Sequence, residues 1–251
     1  MTLLEGIAVV AVGFWAGAIN TIVGSGSLLT FPTLLGVGYG AVTANVSNTL
    51  GLVPGSVSGA VGYRRELSDQ WRRVLTLVPA AVVGGVTGGI LLLAAPGAFR
   101  DVVPFLILLA VALVLVQPRI TRRRAAAGRV NVHPGPVLQI GTFFTAVYGG
   151  YFGAAQGVIL LALLGITLDD DLQRLNGVKN VIAAVINGIA ALFFLVFARE
   201  HIVWLAVLLL LAGSTVGGQV GAVLGRRIPA KVLRLVIAVV GTAVAIKLLV
   251  G

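Results

Sequence analysis

The sequence predicts an all-α polytopic membrane protein. It is expected to fold as two inverted repeats of about five helical segments each, with a broken or re-entrant helical hairpin opening each half. Three observations carry this expectation: a large apolar excess, a string of uncharged runs of spanning length, and an internal repeat whose equivalent loops differ in charge. Of the 251 residues, 58% are hydrophobic and 10% charged, and the mean hydropathy is +1.06. A soluble domain needs far less apolar surface to fill one core, so the surplus must face lipid. The 34 glycines suit closely packed membrane helices, whereas their backbone freedom would weaken helices in water.

Runs with little or no charge extend from Leu4 to Val23, Ala41 to Tyr63, Val74 to Ala95, Val102 to Gln117, Pro136 to Ala155, Leu175 to Ala198, Ile202 to Gly225 and Val232 to Val250. About 20 helical residues cover a hydrocarbon core of about 30 Å, so most of these runs are expected to span. Leu28 to Val37 and Gly157 to Leu168 are too short. Each follows a glycine-containing break, Gly24-Ser25-Gly26 or Gly149-Gly150 with Gly153, and is expected to form the second arm of a hairpin. The first run lacks a basic leader and carries Glu5, which reads as a retained helix rather than a cleaved signal.

The repeat is visible in the residues. Leu34-Leu35-Gly36-Val37 matches Leu163-Leu164-Gly165-Ile166, and Gly24 falls on Gly153 at the same offset. Gly84, Gly85, Gly88 and Pro96 return at identical spacing as Gly217, Gly218, Gly221 and Pro229, after Trp71 and Trp204. The expected organisation is a first repeat over 1–117, a basic cytoplasmic linker over 118–135 and a second repeat over 136–251.

Lys and Arg in short loops mark the cytoplasmic face. Three clusters are placed there: Arg64, Arg65, Arg72 and Arg73; Arg119, Arg122, Arg123, Arg124 and Arg129; and Arg226, Arg227, Lys231 and Arg234, with Arg174 joining them. Only Arg100, Arg199 and Lys247 fall outside. The loop after Tyr63 and its counterpart near Arg199 then lie on opposite faces, which makes the repeat inverted.

Composition also excludes functions. With no cysteine, thiolate metal sites and cysteine nucleophiles are ruled out. The net charge of +10 lies in short clusters between spans, a topology signal rather than a nucleic-acid surface. All eight acids fall in loops or at helix ends, so no buried carboxylate is expected as a cation site or proton relay. Asp169, Asp170 and Asp171 read as a solvated, helix-capping turn, and neither His133 in the linker nor His201 beside Glu200 suggests metal or catalysis. No cofactor, no metal and no enzymatic activity is expected.

The polar residues inside apolar runs are the candidate substrate ligands. Asn20, Gly24, Ser25, Gly26 and Ser27 surround the first break; a helix starting there aims free N–H groups and its positive dipole end at a cavity, as an anion requires. Asn45, Asn48 and Thr49 open one long helix and Asn176, Lys179 and Asn180 its counterpart, with spacings of three or four that place each set on one face. Gln156 and Asn187 are weaker candidates, with interhelical hydrogen bonding as their simpler role. An embedded lysine among amides describes an anion site better than a cation site.

Asn20 to Leu35 followed by Ala44-Asn45-Val46-Ser47-Asn48, the stretch from Pro54-Gly55-Ser56 to Gly62-Tyr63-Arg64-Arg65-Glu66-Leu67, and Gln173-Arg174-Leu175-Asn176-Gly177-Val178-Lys179-Asn180 together resemble the TauE/SafE family of sulfite exporters and related permeases. The resemblance implies transport of sulfite, sulfonates or other small organic anions across a bacterial or archaeal cell membrane. In one respect the chain departs from symmetry: Gly153-Ala154-Ala155-Gln156 stands where a glycine-rich break would mirror Gly24-Ser25-Gly26. The expected function is a secondary transporter working by alternating access, with an anion channel or uniporter on the same scaffold as the alternative. The partners are a small anion and the bilayer, with the oligomeric state left open.

Overall fold

The computed structural model describes residues 1–125 and 135–224, with scattered helical residues between 235 and 249, and side chains over 1–116 and 135–224. The expectations placed on Arg119, Arg122, Arg123, Arg124, Arg129, His133, Arg226, Arg227, Pro229, Lys231, Arg234 and Lys247 lie outside the described side chains. Among the described residues the chain is helical throughout, in the order α1 (Leu3–Ile22), α2 (Ser27–Gly36), α3 (Ala41–Gly62), α4 (Trp71–Ala94), α5 (Pro96–Ala125), α6 (Pro136–Tyr151), α7 (Gln156–Thr167), α8 (Leu172–Phe197) and α9 (Trp204–Leu224). Among the described residues, five helices are long and apolar enough to cross a membrane: α1, α4, α5 over Pro96–Val116, α8 and α9. The chain is thus a multi-pass helical membrane protein.

The helix boundaries follow local chemistry. Thr2 and Glu5 form a reciprocal capping box at the start of α1, and Asp171 accepts from Gln173 N–H at 2.8 Å to cap α8. Proline opens α5 and α6, where its missing N–H costs nothing. Helix α5 begins before the apolar run, because Arg100 and Asp101 sit in its first turns and do not stop it, and it continues past Gln117 to Ala125, into the start of the expected linker. Helix α6 ends at Tyr151, short of the apolar run that extends to Ala155, because the chain turns at Gly153 with φ of +76°.

Packing seams give the helix directions. Gly13 faces Leu210 and Gly17 faces Ser214, so α1 runs parallel to α9; Gly51 and Gly55 of α3 meet the same two residues, so α3 runs with them. In the same way Gly84 and Gly88 of α4 lie on Ala146 and Tyr151 of α6, and Gly85 and Gly89 lie on Ile186 and Phe193 of α8. The two parallel sets run against each other, since Ser56 of α3 meets Asn187 of α8 while Tyr63 meets Gln173. The glycine pairs Gly84/Gly88 and Gly217/Gly221 are close helix contacts, as their spacing suggests.

A side chain at Gly217 would strike the carbonyl of Phe14, whereas one at Gly188 meets open space. Gly217→Val is expected to destabilise the detergent-purified protein by about 1–3 kcal/mol through overpacking. Gly188→Ala should leave the melting temperature unchanged or raise it, since alanine favours a helix by up to about 1 kcal/mol over glycine. Equal losses in both variants would contradict the seam.

Candidate functional site where two helix breaks meet

Both hairpins turn at the residues the repeat singles out. Gly24 has φ of +92° and Gly153 has φ of +76°, the left-handed region that glycine enters without penalty. The second break adds Ala155 at φ of +60°, a strained setting for a residue with Cβ, in place of a further glycine. The two tips touch each other: Gly157 N–H donates to the Gly24 carbonyl at 3.1 Å, and a Cβ on either glycine would collide with the other's backbone.

A helix that ends inside the protein leaves carbonyls without intrahelical partners. At the end of α1 these are served from the other half. The Thr21 carbonyl accepts from Lys179 Nζ at 3.0 Å, Asn176 Nδ2 at 3.2 Å and Asn180 Nδ2 at 3.2 Å, and the Asn20 carbonyl accepts from Lys179 Nζ at 3.0 Å. The one-face row of α8 read from spacing therefore converges on one point. The reverse contact mirrors it: Asn45 Nδ2 of α3 donates to the Tyr151 carbonyl at the end of α6, at 2.9 Å. Asn45 and Asn176 each leave a buried amide oxygen without a partner among the described residues.

The match is incomplete where the charge lies. Lys179 is fully buried. At the corresponding place on α3 stands Asn48, which donates to Ser27 Oγ at 3.2 Å and accepts from Thr30. The partners of Lys179 are neutral carbonyls at the negative end of a helix dipole, and no Asp or Glu is among the described buried residues. Its formal charge is thus not cancelled by an acid.

Around Gly24, Ser25 is buried with its hydroxyl unpartnered, and among the described residues the N–H groups of Ser25, Gly26 and Ser27 find no backbone acceptor. Asn20 donates to Ser56 Oγ at 3.1 Å, Asn187 donates to the same oxygen at 3.2 Å, and Gln156 donates to Asn187 at 2.6 Å. Gln156 and Asn187 therefore act as interhelical partners. Thr49 is buried but gives its hydroxyl to the Asn45 carbonyl of its own helix, at 2.9 Å, which does not bring it to the break.

Residues not singled out from the sequence complete the arrangement. Ser56 is the node of the polar chain, and Tyr63 accepts from Asn176 at 2.9 Å while donating to Gln173 at 3.2 Å. Both continue the polar stripe of Asn45, Asn48 and Thr49 along α3, Tyr63 at its C-cap, a periodicity that could have flagged them. Thr21 and Tyr151 act through backbone oxygens, which leave no mark on a sequence.

One end of the bundle is closed by charge. Arg73 lies 2.5 Å from Asp170, Arg174 bonds both Asp170 at 2.7 Å and Asp69 at 2.6 Å, and Gln70 donates to Asp170 at 3.1 Å. This joins the loop after α3 to the loop before α8. No metal-ligating group of three occurs among the described residues.

The breaks meet inside the bundle of membrane-crossing helices of a multi-pass membrane protein. The chain belongs to the sulfite exporter TauE/SafE family, whose profile matches residues 9–248. It is 27% identical over 247 residues, 95% of its length and 87% of the relative's, to the probable membrane transporter protein YfcA of Escherichia coli K12. Similar matches reach a probable membrane transporter protein of Haemophilus influenzae, 26% identical over 84% of this chain and 81% of the relative, and the ORF9 probable transporter of Sinorhizobium, 28% identical over 94% and 89%. No solved structure gives a significant match.

Ser56→Ala would leave the buried Asn187 donor and the half-buried Asn20 donor without this acceptor, at a cost of about 1–3 kcal/mol for the buried one and less for the other. Thermal unfolding should show that loss, with Ser56→Ala and Asn187→Ala together costing less than their sum; strict additivity would place the two residues in separate networks. At the charged end, burial alone would raise the Asp170 carboxyl, but hydrogen bonds from Arg73, Gln70 and the Asp171 N–H and the charge of Arg174 together hold it below its ordinary 3.8. A depressed carboxylate stabilises the fold above its ordinary value and loses that contribution as pH falls through its folded value. Asp170→Asn should therefore cost about 1–3 kcal/mol near neutral pH, with the gap to the parent closing only below pH 3.8. A gap that closes already between pH 7 and 5 would contradict this.

Proposed function

We propose that the chain is a secondary carrier that moves a small anion, such as sulfite, a sulfonate or a related organic anion, by alternating access of two inverted repeats. The observation that carries the reading is the crossed arrangement at the breaks. Each long helix of one half caps the broken hairpin helix of the other, and the corresponding helices α3 and α8 run antiparallel. Residues 1–117 and 136–251 then form the two repeats, facing opposite ways across the interface. The basic end of the bundle is the cytoplasmic one by the positive-inside rule.

The charge balance favours an anion. Lys179 brings a cation without a buried acid, and removing a lone ammonium from water costs several kcal/mol that a substrate anion offsets on arrival. The N–H groups of Ser25 to Ser27 at the start of α2 and the Ser25 hydroxyl supply donors for an oxyanion, next to the amides of Asn20, Asn45, Asn48, Asn176 and Asn180. The family's description as sulfite exporters agrees with this chemistry. Burial of Ser25, Asn45, Asn48, Asn176, Lys179 and Asn180 supports a carrier with an enclosed site over a channel or uniporter with a continuous pore. Rocking one half against the other exchanges the Lys179 contacts and opens the site to either side.

The test is flux of sulfite and of a simple alkylsulfonate in proteoliposomes. Lys179→Ala should lower the rate at least tenfold with the yield of monodisperse protein retained, and excess unlabelled anion on the far side should accelerate uptake of label by the parent. Unchanged flux in the variant removes the charge role, and flux without counterflow that never saturates points to a channel.

A further inference from the structure

We propose a binding site for an anionic phospholipid on the outer face of the seam between α3 and α8. A groove of about 520 Å³ lies there, walled by Val57 and Val61 of α3 and by Val181 and Val185 of α8, with Arg64 and Trp71 at its basic end. Because α3 and α8 cross antiparallel, the valines of both helices line the groove along the seam, with Arg64 among the lining residues. Val57, Val61 and Trp71 are each about half exposed, at 48, 47 and 53%. In a membrane-spanning chain such a face meets acyl chains.

The charge of Arg64 selects the occupant. Two arginines at this end have acidic partners, Arg73 on Asp170 and Arg174 on Asp170 and Asp69; of the exposed Arg64, Arg65 and Arg72, Arg64 is the one that lines the groove. Arg64 is exposed and makes no ion pair or side-chain hydrogen bond among the described residues. Its position at the end of an apolar groove, beside a tryptophan of the kind that settles at headgroup level, fits a lipid with its tails along the valines and its phosphodiester on the guanidinium. A guanidinium meets phosphate oxygens through two parallel N–H donors, which an ammonium cannot do. Such a lipid sits across the line where the two halves meet, which places it to bias their relative movement.

The experiment compares the full chain in detergent with added phosphatidylglycerol, phosphatidylcholine or inorganic phosphate, reading lipid affinity by native mass spectrometry and the melting temperature. Phosphatidylglycerol is expected to bind about fivefold tighter than phosphatidylcholine, the effect of one basic residue near an anionic headgroup, and phosphate alone to do nothing. Arg64→Gln should remove the preference, Arg64→Lys should restore part of it, and Arg65→Gln, one residue from the groove's arginine, should keep it. Val61→Trp should fill the groove and weaken both lipids. The proposal is overturned if Arg64→Gln and Arg65→Gln act alike, if phosphate reproduces the effect, or if Val61→Trp instead splits a dimer, which would make the face an interface between copies.

Discussion

The fold depends on how a helix can stop inside a membrane protein. A carbonyl without a partner in an apolar interior costs several kcal/mol, and water is not at hand to relieve it. Helix α1 stops at Ile22, and its last carbonyls are taken up by Asn176, Lys179 and Asn180 of α8. That single contact does three things. It allows the break, fixes α8 of the second half against the hairpin of the first, and brings a cation to the place where the chain turns.

The rest of the architecture follows from that constraint. Helix α6 stops in the same way, and α3 of the first half serves it through Asn45, so each half is incomplete without the other. Close approach of the two tips requires the absence of side chains at Gly24 and Gly157, and close approach of α1 to α9 and of α4 to α6 requires glycine along those seams. The ion pairs of Asp170 with Arg73 and Arg174 then tie the halves together at the basic end, where water and charge are available. The other end is held by weaker neutral contacts, with Ser47 donating to the His201 carbonyl at 3.3 Å.

Much of this was legible in the residues because the bilayer imposes lengths and forbids charges. Apart from α5, the apolar runs predict the described helices to within a few residues, and Gly24 and Gly153 predict the turns because few other residues enter the left-handed region. The rows of amides on α3 and α8 were visible as spacing. Their acceptors were not, since a backbone oxygen is the same at every position; Thr21 and Tyr151 became special only when the helices stopped. The pairing of Asp170 with Arg73 spans 97 residues and depends on two loops meeting in space. The true extent of α5 was hidden by Arg100 and Asp101, which look like a loop in an apolar context but are tolerated in the first turns of a helix.

Under the proposed function, the breaks form one shared pocket for an anion, with Lys179 at its edge. The most direct measurement is an experimental structure of the protein with sulfite, or a heavier oxyanion of the same shape, at neutral pH. The account requires the oxyanion within hydrogen-bonding distance of the N–H groups of Ser25 to Ser27, with Lys179 turned toward it from the Asn20 and Thr21 carbonyls. An oxyanion lodged elsewhere, with Lys179 still locked on those carbonyls, would contradict it.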